Sequence, residues 1–249
     1  MLTAVRGALA FLTRLPVGGG ERAWNAFRRT PVAFVVAGYV VGVLAALPHT
    51  LPVPVPTVVT CYLATLYLVT GITHVDGLAD LGDAAAVHGT AVDRREALED
   101  PGVGVGGALA VGVALVALTL AGLGVAGAGP RAAIRLVLAA EVSAKTGMAG
   151  LAALGTPGHE GLGSAVVGEV GPASLLPVVA AALPVALAAP TGAAPALAVT
   201  LLTGPAVAVL VGRWATRAFG GVTGDTLGAA NELGRIAALH AGVVTWTLW

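Results

Sequence analysis

Charge is what this chain has least of. The 13 Lys and Arg and 13 Asp and Glu make up 10% of its 249 residues, while 57% are hydrophobic. Soluble domains carry about a quarter charged residues, so a large helical core wrapped in a charged, water-facing shell is excluded. No Asp, Glu, Lys or Arg occurs at 30–75, 101–130 or 170–212. A membrane-spanning helix needs roughly 20 mostly apolar residues, and these runs are long enough for two, one and two spans in turn. The mean hydropathy of +0.90 points the same way. Cysteine is nearly absent, and Cys61 alone cannot form an intrachain disulfide. The formal net charge is zero, so no bulk field recruits nucleic acid, and nucleic acid is excluded as a partner. No Ser-His-Asp or Cys-His arrangement stands out, which disfavours hydrolysis by a side-chain nucleophile.

What is present divides into seven apolar segments: 32–47, 56–73, 103–125, 132–154, 173–189, 194–211 and 236–249. Pro48, Pro52, Pro54, Pro56, Pro101, Pro130 and Pro190 punctuate them. The expected fold is all-α: one polytopic transmembrane helical bundle of about six or seven helices over 1–249, in a lipid bilayer. Its abundant Gly and Ala serve close helix packing. Arg6 and Arg14 bracket the apolar stretch near the N-terminus, which reads as an amphipathic surface helix. Placing the N-terminal arm inside puts loops 75–100, 155–169 and 213–235 inside as well. Most arginines then fall on the inner side, with Arg131 and Arg135 outside. This orientation predicts a cell-membrane protein with its site facing the cytoplasm. Glu141 precedes Lys145 by four residues, the favourable order for a helical ion pair, and the two are expected to neutralise each other.

Three constellations can carry chemistry. Asp76, Asp80 and Asp83 follow an apolar span at i, i+4 and i+7, which puts three carboxylates on one helix face. Like charges repel there and are costly to desolvate near a bilayer, whereas a Mg²⁺ ion shared with substrate phosphates would relieve both. His74 points away from that face on a continuous helix. It reads as structural, or as a substrate contact if the helix unwinds at Gly77. Asp100, before Pro101 and Gly102, is placed to cap the third span. The glycines from Gly104 to Gly107 serve helix packing or cradle phosphate at a helix N-terminus. The spacing is neither Walker A nor a Rossmann fingerprint, since no lysine follows and no strand precedes. In the third constellation Gly224, Asp225, Asn231 and Glu232 lie among Arg213, Arg217 and Arg235. Asp225 reads as a metal ligand closing the same site or as a cap of the last helix. Asn231 and Glu232 read as orienting an acceptor. Glu160 reads as ligand, base or solvated acid.

Together these residues resemble the cobalamin synthase family, the adenosylcobinamide-GDP ribazoletransferases. The resemblance runs through Phe11-Leu12-Thr13-Arg14-Leu15-Pro16-Val17, then Thr70-Gly71 through Asp83 with its Asp-Gly-Leu-Ala-Asp core. It continues in Glu160-Gly161-Leu162-Gly163 and in Gly220 through Glu232. It implies Mg²⁺-dependent transfer of the phosphocobinamide group of adenosylcobinamide-GDP to α-ribazole or its 5′-phosphate, with release of GMP. Asp76, Asp80 and Asp83 are then implied as metal ligands, and Asp80 or Asp83 as an alternative proton acceptor. Asp225 completes the catalytic set. His74, Gly77, Asp100, Gly104, Glu160, Gly224, Asn231 and Glu232 contact substrate. A homo-oligomer is compatible with this reading. One departure stands beside Asp100, where the family usually carries basic residues and this chain has Glu99 and Gly102. Another arginine then binds the phosphates, or activity is altered.

Two other readings compete. A CDP-alcohol phosphotransferase shares an Asp-Gly-x-x-Ala motif but continues with Arg and more widely spaced acids, whereas Asp80 follows Ala79 here. An ion or solute transporter needs acids within the spans of both halves of the bundle. Here nearly all the acids fall in loops on one face.

Overall fold

A computed structural model describes residues 1–158, 161, 163–187 and 192–248. The helices run Leu2–Leu12 (α1), Glu21–Arg28 (α2), Val32–Ala46 (α3), Val55–Thr70 (α4), Thr73–Ala86 (α5) and Ala91–Glu99 (α6). They continue as Val105–Gly127 (α7), Pro130–Leu154 (α8), Leu175–Ala182 (α9), Pro184–Leu187 (α10), Ala194–Phe219 (α11) and Gly224–Leu248 (α12). Among the described residues there is no strand, only an isolated bridge between Pro157 and Val222. The chain is a helical membrane bundle. Among the described residues, four stretches are long and apolar enough to cross a membrane: Val32–Thr50, α7, α8 and α11. Helices α4 and α5 satisfy that test only together, and they meet at a 93° bend. We take α4 as the crossing arm and α5, with its three aspartates, as lying across the bundle end, outside the spanning segments.

The boundaries depart from the sequence expectation in three places. Of segment 173–189, the described part is broken into α9 and α10. The expected loop 213–235 is almost all helix, since α11 runs on to Phe219 and α12 starts at Gly224. Segment 236–249 is therefore only the second half of α12. That helix carries Asp225, Glu232 and Arg235 and is not among the four apolar stretches. Buried pairing, described below, lets charged residues sit in a helix that the sequence presents as a connector.

Helix α8 is the axis of the bundle. Its span window is 83% buried, against 22% for α7 and 33% for α11, which face outward. Pro205 lies inside α11 and has no N–H to give the carbonyl of Leu201. The Ser143 hydroxyl on α8 donates to that carbonyl at 2.9 Å and accepts the amide of Gly204 at 2.8 Å. An α8 side chain thus completes the α11 backbone where no water can.

One end of the bundle gathers the polar segments. The amide of Arg14 donates to Val69 at the end of α4, Arg28 pairs with Glu169 at 2.9 Å, and Arg95 donates to the Phe219 carbonyl at 2.8 Å. The amides of Gly158 and Val222 close on the carbonyls of Val222 and Thr156 at the start of α12. The N-terminal arm, α5, α6, the segment after α8 and the α11–α12 turn therefore share this end.

Candidate functional site

The acidic helix forms as its spacing predicts. Asp76, Asp80 and Asp83 lie on α5, with Asp76 exposed and the other two half-buried. The opposite face buries Leu78, Leu81 and Ala84 against Leu98 of α6 and Ala215, Ala218 and Phe219 of α11. That apolar packing fixes the roll of α5 and turns its carboxylates outward.

Asp83 is already engaged. Its carboxylate accepts the amide of Gly104 at 2.8 Å and that of Gly107 at 2.9 Å, so it caps α7 from another helix. The expectation that Asp100 caps this span is corrected. Asp100 accepts the amide of Gly102 at 2.7 Å and ends α6, while α7 begins beyond Gly104. The anion held by the Gly104–Gly107 turn is the protein's own carboxylate.

The start of α12 meets α5 directly. A β-carbon on Gly77 would fall within 2.6–3.1 Å of the Asp225 backbone, so only glycine permits the approach. Gly224 packs against Gly163. Thr223 and Thr226 exchange amide-to-hydroxyl bonds at 3.1 Å in the manner of a capping box. The cap of α12 is therefore Thr223, and Asp225 is left half-buried beside the α5 acids. Burial first, then the charges of Asp225, Asp76 and Asp83, push the Asp80 carboxyl up to about 7. Among the described residues no group of three or more His, Cys, Asp or Glu side chains is arranged to hold a metal ion. Glu160 lies outside the described residues.

Beneath this layer is a buried charged network. Arg235 pairs with Glu141 of α8, the second contact being Nη2 to Oε2 at 3.2 Å, and with Glu232 at 2.7 Å. Lys145 donates to Asn231, whose amide donates to Glu232 at 3.1 Å. The hydroxyl of Tyr67 on α4 reaches Glu232 at 3.5 Å. Glu141, Lys145, Asn231 and Arg235 are fully buried and Glu232 is 1% exposed. The expected Glu141–Lys145 pair is thus corrected: Glu141 binds Arg235, and Lys145 binds Asn231. Asn231 and Glu232 spend their polar atoms inside the protein, which ties α12 to α8 and α4. His74 is 5% exposed, its backbone lies against Gly228, and its Nδ1 has no partner among the described residues.

The family model for cobalamin-5-phosphate synthase matches residues 4–243. The chain belongs to the cobalamin-5-phosphate synthase family. Among its relatives, an adenosylcobinamide-GDP ribazoletransferase of Haloquadratum walsbyi is 52% identical over the whole of both chains. One of Halorubrum lacusprofundi is 50% identical over 99% of each. One of Methanocella arvoryzae is 34% identical over all of this chain and 97% of its own. No solved structure matches significantly.

Within this synthase-family fold, sequence reasoning missed the positions of two arginines at the charged end. Arg95 holds the α11 terminus, and Arg14 lies along Gly71 at the α4–α5 elbow. The motif containing Arg14 was itself the available signal; the contact across to Gly71 was not readable from spacing.

Proposed function

We propose that the chain carries the activity its relatives are named for, the transfer of phosphocobinamide from adenosylcobinamide-GDP to α-ribazole or its 5′-phosphate. The observation that carries this reading, within the family assignment, is the seating of Asp225 on Gly77 beside Asp76 and Asp80. In the reaction an acceptor hydroxyl oxygen bonds to the cobinamide-side phosphorus. The bond from that phosphorus to the bridging oxygen breaks, and GMP leaves with the oxygen. Mutual repulsion gives Asp80 two alternative roles: unligated, it accepts the proton of the attacking hydroxyl, and as a metal ligand it does not.

The same repulsion fits a divalent cation. Mg²⁺ commonly takes one or two carboxylates and completes its shell with substrate phosphates and water, so a closed three-ligand cage is not required. Asp76, Asp80 and Asp225 would hold it, and it would neutralise charge on the diphosphate. Asp83, with both oxygens on the amides of Gly104 and Gly107, sets the position of α7. The charged end faces the cytoplasm from the cell membrane. Arg6, Arg14, Arg22, Arg28, Arg29, Arg94, Arg95, Arg213 and Arg217 lie in the segments gathered there or beside them, while Arg131 and Arg135 begin α8 at the other end.

The test is turnover by purified protein given adenosylcobinamide-GDP, either acceptor, and Mg²⁺ or a chelator. GMP release that needs an acceptor and Mg²⁺ is expected. Absence of GMP release with both acceptors would overturn the activity, and undiminished release in chelator would overturn the metal.

A further inference from the structure

The charged end holds nine arginines that could meet a phosphate, and the structure separates them by what they already bind. Arg6 donates to Gly18, Arg28 and Arg29 pair with Glu169, Arg94 donates to Val87, and Arg95 donates to Phe219. Arg22 on α2, and Arg213 and Arg217 on the last turns of α11, are exposed and make no hydrogen bond or ion pair with a described residue. Arg14 is likewise exposed, and its guanidinium makes no hydrogen bond or ion pair with a described residue.

The position of Arg14 is nevertheless fixed. Thr13 ends α1 with its hydroxyl donating to Leu9 at 2.6 Å and accepting the amide of Leu15 at 3.2 Å. The Arg14 amide donates to Val69 at 2.7 Å. The side chain then runs along Gly71, whose β-carbon, were there one, would lie 3.0–3.3 Å from Nε, Cδ and Cγ. Gly71 has φ +70°, so the elbow itself demands glycine. The turn from α4 into α5 thus doubles as a track for the arginine stem.

Gly71 leads within two residues into the first turn of α5, which begins at Thr73. That turn offers the amides a helix leaves unpaired, and it contains buried His74, whose Nδ1 has no partner among the described residues. The same first turn also holds Asp76. Four carboxylates in and around this site repel a diphosphate, and the positions beside Asp100 are Glu99 and Gly102, which supply no cation. Guanidinium is the group whose planar fork matches two phosphate oxygens at once.

We propose that Arg14 binds the diphosphate of the donor substrate over the first turn of α5. This rests on the transferase reading above, which supplies a diphosphate-bearing donor. Arg14 is then a binding residue for the donor and has no contact with the acceptor.

The test compares wild type, Arg14→Gln, Arg14→Lys and Arg22→Gln. Gln keeps a stem on Gly71, so folding is preserved and is checked by thermal melting. Two readouts are taken: KM for each substrate, and equilibrium binding of inorganic pyrophosphate without turnover. Arg14→Gln should raise donor KM and weaken pyrophosphate binding by about tenfold or more, the scale of a lost charge-assisted bond. Acceptor KM should stay unchanged, Arg14→Lys should recover part of the loss, and Arg22→Gln should match wild type. Unchanged donor KM and pyrophosphate affinity in a folded Arg14→Gln protein would overturn the proposal, as would a rise in acceptor KM alone. If wild type fails to turn over the donor, the transferase reading falls, and the pyrophosphate measurement still decides whether Arg14 binds a diphosphate.

Discussion

A β-carbon on Gly77 would lie 2.6 Å from the Cα of Asp225. The atom in the way is backbone, so alanine cannot be absorbed by a side-chain turn, and α5 and α12 must separate. Gly77→Ala should therefore lower turnover by about a hundredfold, the scale on which a small misplacement of reacting groups acts. Overpacking should also cost about 1–3 kcal/mol of stability. Steady-state kinetics and thermal melting in detergent measure both, and an alanine variant with near-normal turnover would show that the contact does not set the site.

The bonds of Asp83 to Gly104 and Gly107 predict a split among the three α5 acids. Asp83→Asn keeps one acceptor oxygen for the cap and should cost about 1 kcal/mol, with turnover reduced less than about tenfold. Asp80→Asn removes a charge facing the substrate and should cost at least about 10²-fold in turnover, with stability unchanged or raised. Equal losses of turnover in the two variants would return Asp83 to the chemistry.

Asp80 also predicts a pH dependence. Its carboxyl ionises at about 7 in the fold, against 3.8 without the surrounding burial and charge. The unfolded chain therefore gives up this proton first, and in the absence of metal the term lowers stability as pH rises from about 4 to about 7. A bound cation reverses the sign, because it requires the ionised form. The Mg²⁺ concentration for half-maximal turnover should rise by up to about tenfold per pH unit below 7 and level off above it. A Mg²⁺ requirement that is flat from pH 6 to 8 would remove Asp80 from the metal site.

Much of this was readable from the chain alone. The charge-free runs marked α3, α4, α7 and most of α11, because lipid permits little else over such lengths. The spacing of Asp76, Asp80 and Asp83 gave one carboxylate face, since helix period alone determines it. What the chain concealed was pairing at a distance. Glu232 and Arg235 looked like connector residues because their partner Glu141 lies 94 positions before Arg235. The cap on α7 was assigned to nearby Asp100, while the residue that performs it, Asp83, is 21 positions before Gly104. Local rules cannot tell a charge that needs water from one that has a buried counter-charge waiting.

The hydroxyl of Ser143 bears on how the protein is made. A helix released into lipid must satisfy its own backbone, and Pro205 leaves the Leu201 carbonyl of α11 without its usual donor. That donor belongs to α8, which precedes α11 in the chain and is already in the bilayer when α11 follows it from the ribosome. Order of synthesis thus supplies the missing bond at the moment it is needed, and a permuted chain delivering α11 before α8 would expose that carbonyl to lipid during insertion.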